Sequence, residues 1–174
     1  PLRWVPIDRG YGSTEFREPE DIAFFALEEG PSGSPPLPSP VPPAFVPIDG
    51  TLATPVDITL TRNDATGGLA LGIDGVPSWD APPLPASIGE VQLWTVRNTI
   101  EWSHPFHLHG FFFQPVDSSG RPLGVWAATI DVPHEGGVAR FLVRFEERPG
   151  MGMFHCHILD HADAGMMGMI ELVE

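Results

Sequence analysis

Cys156 stands between two histidines, and His161 and Met166 follow it in the pattern Cys-x4-His-x4-Met. Earlier in the chain a second cluster reads His104-Pro105-Phe106-His107-Leu108-His109. The two clusters hold six of the seven histidines and the only cysteine. Side chains on a β-strand alternate between faces with a period of two, so strands through these clusters would sort their side chains by parity. On a strand over Gly152–His157, His155 and His157 point to one side and Cys156 to the other. On a strand over Phe106–Gln114, His107 and His109 share a side, while His104 has the opposite parity, with Pro105 leaving its direction less fixed. The clusters therefore favour a sheet protein with two ligand sets on opposite sides of the same strands.

The remaining sequence agrees. Short β-rich runs bounded by Gly, Pro, Asn and Asp fall at Val56–Arg62, Gly68–Ile73, Val91–Asn98, Phe106–Gln114, Thr129–Val132, Val138–Arg144, Gly152–His157 and Met169–Val173. A helical period is absent apart from short turns near Leu159–Ala164. Regularly spaced short strands predict an all-β sandwich or barrel. Residues 31–43 carry seven prolines and no charge, so residues 31–48 are expected to be an extended, semi-rigid linker. It separates a body over 49–174 from a head over 1–30, with strand-like pieces at Arg3–Ile7 and Ile22–Leu27. The head is too short to bury a core of its own.

Composition narrows the partners. Nine Lys and Arg against 23 Asp and Glu give a formal charge of −14, which repels nucleic acid and anionic membranes. No run of about twenty apolar residues predicts membrane insertion, and the start does not resemble a signal peptide. A single cysteine excludes an intrachain disulfide framework and a CxxC zinc site.

The first ligand set, His104, Cys156, His161 and Met166, offers two imidazoles, a thiolate and a thioether. That is the soft trigonal arrangement with a weak axial methionine found at blue-copper electron-transfer sites. Zinc would accept the cysteine and histidines but has no need of Met166. The second set, His107, His109, His155 and His157, lacks a thiolate and suits borderline metals that also bind a small ligand. Copper is consistent with both.

The segments HPFHLHG and HCHILDHADAGM resemble the copper-binding signature of the multicopper oxidases, which include laccases and bacterial copper oxidases. The likeness extends from about residue 90 to the end of the given sequence, and the first fifty residues only loosely resemble the end of a middle domain and its connector. It implies a C-terminal Greek-key cupredoxin domain over 49–174, preceded by trailing strands of another cupredoxin domain over 1–30. His104, Cys156, His161 and Met166 would be type 1 copper ligands, His107 a type 2 ligand, and His109, His155 and His157 ligands of the binuclear type 3 pair. One-electron oxidation of phenols, amines or metal ions at type 1 copper would drive reduction of O2 to water at a trinuclear cluster. Electrons would arrive near His161, whose loop is expected at the surface, and pass through Cys156 to His155 and His157 over a few covalent links. The resemblance also implies a periplasmic or secreted location.

In the family the cluster takes eight histidines, four of them from two His-x-His pairs in N-terminal domains. This chain has only His134 left over, so those domains are expected as partners. A stand-alone electron-transfer cupredoxin is the alternative, but a small shuttle has no use for the second set. A nitrite reductase would not need histidine on both sides of Cys156, and a storage protein would not need the Cys/Met loop. Some bacterial relatives carry an acidic residue directly after the second type 1 histidine, where it helps proton delivery. Here Ala162 stands in that place, with Asp163 next, and Gly152 occupies a position where relatives often have a bulky aromatic. Met151, Met153, Met167 and Met169 are expected to fill the core around the site as adaptable packing. Trp126, Asp131 and His134 fall where they would line a substrate surface or serve structure, and Phe111–Phe113 should pack alternately into core and interface.

Overall fold

The computed structural model describes residues 1–5, 18–26, 44–62, 70–146 and 148–174. The expected linker, as far as residue 43, and parts of the head strands lie outside the described residues. In the head, β1 (Leu2–Trp4) pairs antiparallel with β2 (Glu20–Ala23), and Arg3 Nε lies 2.6 Å from Asp21 Oδ1. Leu2, Ile22, Phe24 and Phe25 are exposed, as expected of a piece too small to enclose its own core.

The body contains β3 (Thr54–Arg62), β4 (Leu71–Ile73), β5 (Leu84–Ser87), β6 (Val91–Asn98), β7 (His104–Leu108), β8 (Phe113–Pro115), β9 (Thr129–Val132), β10 (Val138–Arg144), β11 (Gly150–Cys156), α1 (Leu159–Asp163) and β12 (Met167–Val173). One five-stranded sheet runs β4-β3-β6-β10-β8 and the other β5-β12-β11-β7-β9. β3 and β6 pair in parallel, as do β5 and β12, and the other pairings are antiparallel. Neighbours distant in sequence interleave the two sheets, giving the sandwich expected from the strand spacing with the Greek-key character that the family resemblance implies.

The core lies between the sheets. Trp94 on β6 stacks on Phe141 of β10 at 5.6 Å and meets Phe154 of β11 edge-on at 5.1 Å, while Phe106 of β7 lies 5.7 Å from Phe154. A buried indole needs an acceptor. Trp94 Nε1 donates to Gln92 Oε1 at 2.9 Å, and Gln92 Nε2 donates to the Pro85 carbonyl, tying β6 to the edge strand β5 of the opposite sheet. A smaller cluster of Ile48, Val116 and Leu142 sits beside it. Buried Gln114 fastens the incoming chain there, accepting from Ile48 N and donating to the Val46 carbonyl, each at 2.7 Å.

Two expectations need correction. The single strand over Phe106–Gln114 is two strands in different sheets: β7 ends at Leu108, Gly110 turns the chain at φ 81°, and β8 crosses to pair with β10. Burial of Phe113 against Phe141, at 4.1 Å, rewards the crossing. The strand β5 is additional; its Pro85 looks like loop chemistry, yet an edge strand tolerates proline.

Candidate metal centre

β7 and β11 place both histidine clusters. Along β7, His104, Phe106 and Leu108 are buried while Pro105 and His107 are half-buried; along β11, Phe154 and Cys156 are buried while His155 is half-buried. Cys156 pairs with Phe106, and His155 pairs with His107. Alternation thus separates an inner set from an outer one.

In the inner set, His104 Nδ1 and His161 Nδ1 lie 3.5 and 3.6 Å from Cys156 Sγ and 3.1 Å from each other. The point equidistant from three such atoms is about 2 Å from each, the length of a metal–imidazole bond. The donor set therefore fits one ion. His161 stands in the last turn of α1, and the loop closes on itself: Met166 N donates to the His161 carbonyl at 3.0 Å, and Cys156 N donates to the Met166 carbonyl at 3.1 Å. Met166 is fully buried beside them, so all four residues are removed from water.

The outer set is more open. His107 and His155 are half-buried, and His109 and His157 are exposed. The rings of His107 and His109 are 4.6 Å apart, His107 and His157 5.2 Å, and His155 and His157 5.6 Å. His109 Nε2 and His155 Nε2 approach to 2.8 Å. His155 Nδ1 lies 2.8 Å from the Cys156 carbonyl, which can only accept, so Nδ1 is the donor there and Nε2 is the nitrogen turned toward His109. Thr129 Oγ1 holds His107 Nδ1 at 2.9 Å. Such outer partners fix ring orientation at metal sites. Burial pushes the His107 pKa down, the Ala128 carbonyl opposes this, and the imidazoles of His109, His155 and His157 add to the lowering. The neutral, metal-binding form is favoured.

Other expected residues fall elsewhere. His134 donates its backbone N–H to Ser103 Oγ and lies 4.0 Å from Glu135, in neither set. Trp126 packs on Phe45 at 6.2 Å, and Asp131 is exposed opposite Pro105. Ala162 is buried and Asp163 exposed. A Cβ on Gly152 would meet only Ile170, at 3.9 Å, so packing does not demand a glycine there. Phe113 is buried in the core, as expected for one side of that run, Phe112 is 68% exposed, and Phe111 lies edge-on to Phe145. The expectation that the remaining methionines fill the core is corrected: Met151 is 55% exposed, and Met153, Met167 and Met169 are half-buried. Parity explains it, because Met151 and Met153 share His155's side of β11 and pair with Glu171 and Met169 of β12. The His161 loop lies at the surface, yet the imidazole is only 5% exposed and stacks against Trp102. Trp102, Thr129 and Arg62 carried no signal in the sequence, because each reaches its site across strands.

The geometry agrees with comparison to known proteins. The Bacillus stratosphericus protein named laccase is 26% identical over half of this chain, and copper resistance protein A homolog of Pseudomonas syringae pv. tomato is 35% identical over 60% of it. The chain spans only 21% and 17% of their respective lengths. Among solved structures, a variant of McoA multicopper oxidase from Aquifex aeolicus is 28% identical with a TM-score of 0.64, covering 75% of this chain and 31% of that one. A laccase from Pediococcus acidilactici is 30% identical with a TM-score of 0.60, covering 79% and 31%. A family model described as multicopper oxidase matches residues 49–173. That match takes in both ligand sets and most of the chain, which belongs to the multicopper oxidase family, with copper as its cofactor.

Proposed function

We propose that residues 49–174 form the C-terminal cupredoxin domain of a laccase-like oxidase that takes electrons singly from phenols, amines or metal ions and delivers four to O2. His104, Cys156, His161 and Met166 would hold type 1 copper, His107 type 2 copper, and His109, His155 and His157 the type 3 pair. Copper bound there supplies one-electron redox chemistry and a place for dioxygen to react. The chain's own contribution is position. Burial keeps the inner set dry, the His155 and Thr129 hydrogen bonds hold imidazole nitrogens ready, and the peptide bonds on either side of Cys156 join the two sets.

The observation that carries this reading is the division of two donor sets between opposite sides of one strand. The exposed outer set supports partners: N-terminal domains of the same oxidase bringing His-x-His ligands, with residues 1–30 the last strands of the domain before and 31–48 the linker. A shuttle would have no use for that outer set. A periplasmic or secreted location is supported by the likeness to copper resistance proteins, and no helix among the described residues is long and apolar enough to cross a membrane.

Copper stoichiometry and the visible spectrum of the loaded chain test the reading. One tightly held ion with an intense thiolate band, lost in Cys156→Ser, is expected. Absence of the band refutes the inner centre, and four tightly held ions per chain refute the need for partner domains.

A further inference from the structure

Around the His161 loop, Leu159 is 72% exposed and Asp160 and Asp163 are exposed, yet the imidazole between them is almost wholly covered. The cover is aromatic. The Trp102 indole lies parallel to the His161 ring, with centroids 5.7 Å apart and planes at 27°. Arg62 places its guanidinium carbon 5.7 Å from the same indole, within the range of a cation–π contact, and is anchored by Glu101 Oε1 at 3.0 Å. Trp102 is also fixed through its backbone, because its carbonyl accepts from Asn98 Nδ2 at 2.6 Å. Asn98 is itself buried; it donates to the Pro133 carbonyl and accepts from Ile100 N.

We infer that Trp102 is a positioning residue for the inner set, its indole holding the plane of the His161 imidazole and closing the solvent side of the site. The inference rests on the reading of that set as a copper site. The contacts of His161 Nδ1 with His104 and Cys156 hold one edge of the imidazole, and the loop's backbone hydrogen bonds do not reach the ring, so the tilt of its plane depends on what packs on its face. A parallel ring against its face removes much of that freedom and excludes water from the same side. The Arg62–Glu101 pair holds the indole in turn, so a cation, an indole and an imidazole form one ordered column. A reductant from solvent meets the indole rim and Leu159 before it meets His161, so this side of the site is closed to direct ligation of the imidazole.

The test loads the full chain with Cu(II) and compares Trp102→Leu, Trp102→Phe and Arg62→Gln with the parent by competition titration and by the thiolate band and electron paramagnetic resonance. Thermal unfolding verifies that each variant folds. Loss of a hydrogen-bonded outer partner typically weakens metal binding by about 10- to 100-fold, and Trp102→Leu, which removes a stacked one, should fall at the low end, about tenfold, with a displaced band. Trp102→Phe keeps an aromatic face and should stay within about threefold of the parent, while Arg62→Gln should displace the band in the same direction by less. Parent-like affinity and band in Trp102→Leu overturn the inference, as does a Trp102→Phe variant that falls as far as Trp102→Leu. Should Trp102→Leu fail to fold, Arg62→Gln decides, since it leaves the apolar volume intact: a displaced band supports the inference and an unmoved one overturns it. A parent chain without a thiolate band would instead refute the copper reading itself.

Discussion

Replacing Gly165 with alanine perturbs the site without touching a ligand. Gly165 follows α1 and precedes Met166, with φ at +110°, a conformation that L side chains rarely adopt. Its carbonyl accepts from Ser78 N at 3.1 Å, and the neighbouring Ala164 carbonyl accepts from Leu71 N at 2.9 Å, so two chain segments cross here. A Cβ at this position would stand 2.5 Å from the Leu71 carbonyl oxygen and 3.0 Å from Pro77 Cβ. The left-handed backbone alone costs roughly 1–2 kcal/mol. Relieving the overlap means parting the crossing, at about 1 kcal/mol for each weakened hydrogen bond, so Gly165→Ala should cost about 3–4 kcal/mol. In a chain of this size that lowers Tm by roughly 6–16 °C. Gly75 isolates the backbone contribution: its φ is +81° but nothing lies within 4 Å of its would-be Cβ, so Gly75→Ala should cost only about 1–2 kcal/mol. Urea unfolding of the metal-free chain measures both. Equal losses in the two variants would refute the steric argument, because only Gly165 has a backbone carbonyl in its way. Metal affinity should fall in Gly165→Ala alone, since the Met166–His161 and Cys156–Met166 backbone bonds adjoin the displaced residue.

Thr129→Val removes the hydroxyl that holds His107 while keeping the side chain's shape, and should weaken metal binding at the outer set by about tenfold or more in a competition titration, leaving the thiolate band unmoved. Gln114→Leu strips Ile48 N and the Val46 carbonyl of their buried partner, and urea unfolding should show a loss of about 2–4 kcal/mol. The Asp117 carboxyl is held down to a pKa of about 2, chiefly by the Ser119 hydroxyl and then by the Arg121 backbone N–H. Its folded pKa lies below the unfolded value near about 4, so its stabilisation is complete above that pH and lost as pH falls toward 2. Asp117→Asn should therefore show a shallower decline in thermal stability between pH 5 and 2.

The period-two alternation was readable in the sequence because it is local: two residues apart means the same side, whatever the strand packs against. It placed Cys156 against His155 correctly, and the burial of each matches. The same rule, applied along the whole of β11, which starts at Gly150 rather than Gly152, puts Met151 and Met153 outward with His155, where the preference of methionine for cores suggests burial. What alternation cannot reveal is a change of sheet. The run from Phe106 to Gln114 alternates only as far as His109 and then continues, past Gly110, as three phenylalanines that fit a strand in either sheet, so only the pairing of β8 with β10 exposes the break. Nor can it reveal contacts between strands distant in sequence. Trp102 meets His161, and Thr129 meets His107, through tertiary packing that no local pattern encodes.

Register makes the two donor sets interdependent. Cys156 faces inward only because β11 sits on β7 with Phe154 opposite Leu108, which also sets His155 opposite His107. A one-residue slip would turn every side chain of β11 to the other side, taking the thiolate out of the inner set and both flanking histidines out of the outer one. Neither set can therefore be lost through register alone without losing the other. The aromatic contacts of Phe154 with Trp94 and Phe106 oppose such a slip, since it would expose Phe154 and bring the flexible Met153 or polar His155 into its place. Core packing and site geometry are in this sense one constraint: the aromatic residues that stabilise the sandwich also set which side of the sheet each ligand faces.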